Sequence, residues 1–347
     1  MRQNNKTRVP LQVTISALFI TLLISLGSLL SIQNYNKTSD ILLSSAHQVY
    51  NRLTEELMLD MKGIYTPLAG VLSILAHSSL TTTGSLEQRL DHLQTLATAL
   101  DNNPAAANLQ IAYANGDYFI VRQLNSEKIK GHFKAPGSAV YMADNIETSS
   151  VGKRRLQRLF FNEKLEVVGR EPETGTEYDP RLRDWYREAS SEPVATSPYL
   201  FYFSGQVGIT AKIKADQPGV VIASDITLSS LADTINKYQI TPNTEVVLIN
   251  ADGQTFAYKD PEKLIIRSDT DQLDLADLDQ LGSGVLSYLS EDIEAIEKDL
   301  DFEYDGQQWT GSARIIARPG GVDLYALMLS PVEELLEDAV DIRAQSF

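Results

Sequence analysis

Tyr178-Asp179-Pro180-Arg181-Leu182-Arg183-Asp184-Trp185-Tyr186-Arg187-Glu188-Ala189 is the densest signal in the chain. It sets a guanidinium, an indole and two phenols at the spacing Y-x4-R-x-W-Y. Arg183 offers a planar fork of donors that matches a carboxylate or another oxyanion. Trp185 adds one N–H donor, and the tyrosine hydroxyls donate or accept. Downstream stand Ser197-Pro198-Tyr199, Gly208-Ile209-Thr210 and the run from Gly219 to Leu228. Within that run Asp225 follows a β-branched strand at a point expected to turn into a helix. A carboxylate there can hold an ammonium group. Aromatic walls with one anion clamp and one cation clamp suit a zwitterion or a small polar metabolite. The same residues admit a purely structural reading, in which Arg183 pairs with Asp179, Asp184 or Glu188 and Trp185 and Tyr186 are core.

Outward from this stretch the chain reads as antiparallel strands. Leu109, Ile111 and Tyr113 alternate, Asn115-Gly116 turns, and Tyr118, Ile120 and Arg122 alternate again. Asn-Gly between alternating runs is a strong hairpin signal. Val246–Asn250, Asp252-Gly253 and Gln254–Tyr258 repeat the design, which points to a duplicated module. Further strands are expected at Leu165–Arg170, Tyr199–Phe203, Gly208–Ile213 and Val220–Ser224. In the second unit they fall at Val285–Leu289, Phe302–Tyr304, Trp309–Ala317 and Leu324–Leu329. Leu228, Leu231 and Ile235 predict a short helix joining the units. Val332, Leu335, Leu336, Ala339, Val340 and Arg343 predict an amphipathic helix leaving the second. Hairpins with helices gathered on one side give an α+β layer fold.

Before the hairpins the period is helical. Leu42, Ala46, Val49, Leu53, Leu57, Met61, Ile64, Leu68, Val71 and Leu75 form one stripe of about 50 Å at 1.5 Å per residue. Pro67 marks a kink or a joint. The stripe exceeds what one small module buries, so part of it, at Leu53 and Leu57, is expected to pair with a second copy as a parallel homodimer. A second helical pattern runs from Leu86 to Leu100. Upstream, Arg2, Lys6 and Arg8 precede an uncharged run from Val9 to Gln33. About 20 apolar residues span a bilayer, and the basic cluster keeps the N-terminus cytoplasmic. A cleaved signal peptide would carry a shorter apolar core and a small-residue cleavage site, which Ser25-Leu26-Gly27-Ser28 matches poorly.

The string Tyr178…Arg183-x-Trp185-Tyr186, with Tyr199, Gly208-Ile209-Thr210 and Gly219–Leu228, resembles the double Cache sensor family of bacterial membrane receptors. The resemblance extends over nearly the whole chain after the apolar run. It implies an N-terminal transmembrane helix, a long stalk helix and two PAS-like antiparallel-sheet Cache modules in tandem. The boundaries expected are 1–8 cytoplasmic, 9–32 anchor, 33–80 stalk, 81–236 membrane-distal module, 237–330 membrane-proximal module and 331–347 a helix toward a second membrane segment. In the amino-acid-binding subset, residues matching Arg183, Trp185 and Tyr186 hold the ligand carboxylate. Those matching Tyr178, Tyr199 and Asp225 hold its amino group. The chain departs at Tyr199-Leu200-Phe201-Tyr202-Phe203, which is more aromatic than in many amino-acid sensors. With Ser204-Gly205-Gln206-Val207-Gly208 it looks more like receptors that drive nucleotide cyclases or phosphodiesterases. The implied role is an extracytoplasmic sensor in the bacterial inner membrane, with its bulk periplasmic and its ligand an amino acid or a related amine or carboxylate.

Composition narrows the rest. With 347 residues and 43% hydrophobic content the chain can build two domains with real cores. A formal net charge of -16 leaves no basic surplus for nucleic-acid phosphates. No cysteine is present, which removes disulfides, thiolate metal sites and cysteine nucleophiles. His47, His77, His92 and His132 fit no metal-binding spacing. Asp269, Asp271, Asp274, Asp277 and Asp279 lack the Gly and Glu of a calcium loop, and Leu275, Leu278 and Leu281 predict a helix with an acidic outer face. Pro319-Gly320-Gly321 reads as a plain turn. No phosphate loop or G-x-S-x-G elbow occurs, so no catalytic residue, metal or cofactor is expected. The competing classes are an anchored hydrolase using Asp225 and a membrane-anchored interaction module without a small ligand.

Overall fold

The computed structural model describes residues 11–149, 151–204, 206–227, 235–267, 273–291, 298–318 and 323–335. Helix α1 (Leu11–Ala76) is continuous for 66 residues and passes through Pro67. Its inward stripe serves both halves of the molecule. Ala46, Tyr50 and Leu57 are buried against one sheet, and Leu68, Leu72, Leu75 and Ala76 against another. This corrects the use expected for the stripe. Leu57 is fully buried within its own chain and is not free to meet a second copy, and the half-buried Leu53 packs against the same core. Among the described residues the exposed large apolar side chains of the stalk are instead Ile41, Val49, Leu59 and Ile74. Among the described residues no helix is long and apolar enough to cross a membrane. From Ile15 to Ile32 of α1, large apolar side chains are nonetheless more than half exposed on every side of the helix.

Helices α2 (Leu86–Leu90) and α3 (Leu93–Asp101) lead into the larger sheet. Its strands are β1 (Asn108–Ala112), β2 (Tyr118–Gln123), β3 (Tyr141–Thr148), β4 (Arg154–Phe161), β5 (Val167–Arg170), β6 (Thr174–Gly175), β7 (Val194–Ala195), β8 (Tyr199–Leu200), β9 (Val207–Lys214) and β10 (Val221–Thr227). All pairs are antiparallel, in the order β5-β4-β3-β2-β1-β10-β9-β7, with β6 on β4 and β8 on β9. Successive side chains alternate across a strand, and here both faces are covered. Leu109, Ile111, Phe119, Val121, Ile209, Ala211 and Ile222 face α1 and α3. Gln110, Tyr118, Arg122, Thr210 and Asp225 occupy the opposite register positions. The Asn115-Gly116 turn forms as expected, with Gly116 at φ +90.

Strands β3 and β4 escaped the sequence. Asp144 and Asn145 are fully buried in β3 and break its apolar pattern. Each is matched by a cation or amide: Arg158 donates to Asp144 at 2.7 and 3.0 Å, and Arg89 donates to Asn145 at 2.5 Å. Several expected elements differ in extent: the strand expected at Leu165–Arg170 begins at Val167, and that expected at Phe302–Tyr304 begins at Lys298. Asp225 lies inside β10, not beyond it. Only Tyr199-Leu200 of the aromatic run is strand, and the chain then turns, with Phe201 N–H donating to the Gln206 carbonyl at 2.8 Å.

The smaller sheet contains β11 (Glu245–Ile249), β12 (Thr255–Ala257), β15 (Lys298–Tyr304), β16 (Gln307–Ala317) and β17 (Leu324–Pro331), ordered β12-β11-β17-β16-β15. A separate ribbon pairs β13 (Ile265–Arg267) with β14 (Leu273–Leu275). The second hairpin turn holds Gly253 at φ +83. Val285–Leu289 is a helix, Gly284–Ser290, rather than a strand. Val285 and Leu286 are buried and Leu289 packs with them, which is one helical face, whereas a strand would have buried Ser287. Leu275 ends a strand, and Leu278–Leu281 is one 3-10 turn capped by Asp277. The basic residues before Val9, the joining helix at Leu228 and Leu231, Asp269, Asp271, Pro319-Gly320-Gly321 and the C-terminal helix from Leu336 lie outside the described residues.

Candidate ligand-binding site

The Y-x4-R-x-W-Y segment is a pair of tight turns fixed by its own charges. Asp179 accepts the Arg181 backbone N–H at 3.0 Å and the Arg181 guanidinium at 3.0 and 2.9 Å. Arg154 adds a second cation at 3.4 Å. The hydrogen-bonded Arg181 holds the Asp179 carboxyl below its ordinary range. Arg181, and not Arg183, therefore locks the turn. Glu188 is taken by Lys212 at 3.0 Å. Among the described residues no carboxylate lies within ion-pair distance of Arg183. The pairing expected of Arg183 in a purely structural role is absent there, and its guanidinium instead sits 5.8 Å from the Tyr202 ring centre.

Arg183, Trp185, Tyr178, Tyr199 and Asp225 line one cavity of about 290 Å³, together with Gln110, Tyr118, Arg122, Phe201, Tyr202 and Phe203. Tyr186 turns away from it and donates its hydroxyl to the Gly219 carbonyl at 2.7 Å. There it braces the β9–β10 turn, where Gly219 has φ +72 and lies against Ala114. Five of the six residues singled out in the sequence thus meet, and the sixth supports a neighbouring turn.

Strand pairing supplies the cavity floor. Asp225 is opposite Thr210 on β9 and accepts its hydroxyl at 2.6 Å. Asn108 and Gln110 on β1 donate to the same carboxylate at 2.7 and 2.9 Å. Burial pushes the Asp225 carboxyl above its ordinary value, against the lowering effect of these hydrogen bonds. Tyr199 shares the Thr210 hydroxyl at 2.6 Å, and Tyr118 donates to Gln110 at 2.6 Å. Burial also raises the phenols, Tyr178 to about 12 and Tyr118 and Tyr199 likewise upward, so all three stay neutral and able to donate.

Rings form the walls. Tyr178 sits 5.2 Å from Tyr118, 5.0 Å from Tyr202 and 4.8 Å from Phe203, in tilted arrangements that aromatic pairs favour. Phe201 can lie on β9 only because position 208 is glycine. A Cβ there would run into the Ile226 carbonyl oxygen and the Phe201 ring. A neighbouring groove of about 900 Å³ shares Arg183, Trp185 and Tyr199 and opens the site outward. Sequence reasoning missed Asn108, Gln110, Tyr118, Arg122 and Thr210 as parts of the site. Their signal was present as polar residues at alternate positions of otherwise apolar strands.

The same arrangement of stalk helix and two antiparallel sheets occurs in solved receptor domains. The ligand-binding domain of the Campylobacter jejuni chemoreceptor Tlp3 superposes with TM-score 0.50 at 14% identity, over 86% of this chain and 93% of that one. A second Tlp3 structure gives 0.51 at 13% identity, over 87% and 95%. The Pseudomonas fluorescens chemoreceptor CtaA gives 0.50 at 14% identity, over 88% and 98%. The chain therefore has the double Cache fold of chemoreceptor sensor domains. No family model matches it. Among curated proteins it is similar to adenylate cyclase 1 of Rhizobium meliloti, at 25% identity over 177 residues, or 50% of this chain and 27% of that protein. It is also similar to the methyl-accepting chemotaxis protein PscA of Pseudomonas syringae pv. tomato, at 32% identity over 98 residues, or 26% of this chain and 15% of that protein. The matches thus span about a quarter or less of those relatives' lengths.

Proposed function

We propose that the chain is the extracytoplasmic sensor of a transmembrane signalling receptor and binds a small zwitterion, an amino acid or a related amine or carboxylate, in the cavity behind Trp185. One observation carries this: an unpaired guanidinium, Arg183, and a buried carboxylate, Asp225, line the same aromatic cavity. Arg183 and Trp185 would hold the ligand carboxylate, and Tyr178, Tyr199 and Asp225 its ammonium. The solved neighbours support this chemistry, being complexes of Tlp3 with 4-methylisoleucine and L-valine and of CtaA with L-isoleucine.

The rest of the proposal follows the chain. Residues 9–32 anchor it in the inner membrane, 33–80 form the stalk, 81–236 the distal module and 237–330 the proximal one. The anchor is supported by the uncharged run from Val9 to Gln33 and by apolar side chains exposed all round the helix. An all-round apolar helix is stable only when buried in protein or lipid. The signal passes along α1 to a cytoplasmic output. The cyclase and chemotaxis relatives support output of that kind.

Thermal unfolding of the detergent-solubilised chain against amino acids, amines and carboxylates tests the sensor role. A ligand should raise the unfolding temperature as RT ln(1 + [L]/Kd) requires, and be recovered unchanged. Turnover of the stabilising compound would instead favour the hydrolase.

A further inference from the structure

The cavity contains a second guanidinium that neither the motif nor the zwitterion chemistry uses. Arg122 stands on β2 in register with Asn108, the residue that donates to Asp225. It is 7% exposed, yet its Nε has no hydrogen-bond partner. Among the described residues no carboxylate lies within ion-pair distance of it. The acids nearby have closer partners: Asp144 is held by both ends of the Arg158 fork, and Asp225 accepts three neutral donors and feels Arg122 only as a charge beyond ion-pair distance.

Arg122 is also held in place. Its guanidinium lies 5.5 Å from the Phe133 ring centre and 5.3 Å from that of Phe203. Rings on two sides recover part of the lost hydration of a cation. They do not supply the counter-charge that a buried guanidinium otherwise demands. The same group lines a neighbouring cavity of about 560 Å³, where Lys128 and His132 add further donors and no acid contributes. The charges lining the smaller cavity are then Arg122 and Arg183 against Asp225 alone. A neutral zwitterion leaves one positive charge unmatched, and one more carboxylate matches it.

We infer that Arg122 sets the ligand class: it selects a zwitterion with an additional anionic group, such as an acidic amino acid, over neutral ones. The inference rests on the cavity being the ligand site proposed above, and it adds the residue that reads the ligand's side chain. It also separates this chain from neighbours solved with apolar amino acids.

Isothermal titration calorimetry on the full chain in detergent tests it, with L-glutamate, L-aspartate, L-glutamine, L-asparagine and L-valine as probes. In the parent protein an acid should bind at least about tenfold more tightly than its amide, the scale of one charge-assisted hydrogen bond. Arg122→Gln should remove that gap by weakening the acid alone. The ligand-free variant should unfold at the same or a higher temperature, because an unpaired buried charge is gone. A merely structural Arg122 would lower the unfolding temperature and leave the acid-to-amide ratio unchanged. Arg122→Lys keeps the charge without the planar fork and should retain part of the preference, which decides the matter should Arg122→Gln not fold. If L-valine or the amides bind the parent as tightly as the acids, the inference is wrong while the sensor role stands. If none of the five probes binds the parent, the inference is wrong, and the sensor role is decided by the wider panel of amines and carboxylates.

Discussion

Asp225 shows what a single residue contributes here and how much of it was legible. Its acidity and its place near a β-branched run could be read directly, but its partners could not. Asn108 and Gln110 lie more than a hundred residues upstream and reach it only through the β1–β10 pairing. Burial raises its folded pKa above the ordinary 3.8. The folded state therefore binds the proton more tightly than the unfolded one. Stability from this group is full below 3.8 and is lost as pH rises through the raised folded value. Asp225→Asn removes that loss. The stability of the variant relative to the parent should accordingly rise as pH increases from 3.8 upward, as measured by urea unfolding over that range. A difference that stays flat or falls with pH contradicts the burial of a titrating carboxyl. Gly208 is the other informative single position. Gly208→Ala forces a methyl group into the Ile226 carbonyl and the Phe201 ring, and overpacking of that kind costs about 1–3 kcal/mol. Denaturant unfolding should show it, together with weaker ligand binding as Phe201 shifts.

Helix α1 was the most legible element, because a stripe at steps of three and four can be read without tertiary knowledge. Which face meets what was not legible. The stripe is consumed within the chain by two separate cores, at Ala46–Leu57 and at Leu68–Ala76. Ile41, Val49, Leu59 and Ile74 project from the other side, where Gly63 and Gly70 also meet nothing within 4 Å. That outer face is the one we propose for a parallel homodimer. Leu59→Glu should reduce disulfide crosslinking of cysteines engineered along this face in membranes and leave the unfolding temperature nearly unchanged. Leu57→Glu should destabilise the protein itself by burying an unpaired charge. Equal effects of the two substitutions on stability would dissolve the distinction. Strands β3 and β4 and the helix Gly284–Ser290 were illegible for opposite reasons. Buried polar pairs such as Asp144–Arg158 hide the alternation of the strands, and a mostly apolar stretch of five residues does not declare its period.

At the scale of the molecule, two antiparallel sheets share one long helix, and the cavity sits on the sheet face turned away from that helix. A ligand can move such an assembly only through a difference in affinity between two states, with each factor of ten worth about 1.4 kcal/mol. Topology is testable first: a reporter before Val9 should read as cytoplasmic and one within the strands as periplasmic. The central claim is that a single zwitterion is held by Arg183 and Asp225 together. Calorimetry on the full chain with Arg183→Ala and Asp225→Asn, using the amino acid that most stabilises the parent, tests it most directly. Arg183→Ala should abolish measurable binding while the protein stays folded. Asp225→Asn should weaken the amino acid roughly tenfold to a hundredfold, and weaken its analogue without the amine far less. Undiminished binding of the amino acid by both folded variants would contradict the account.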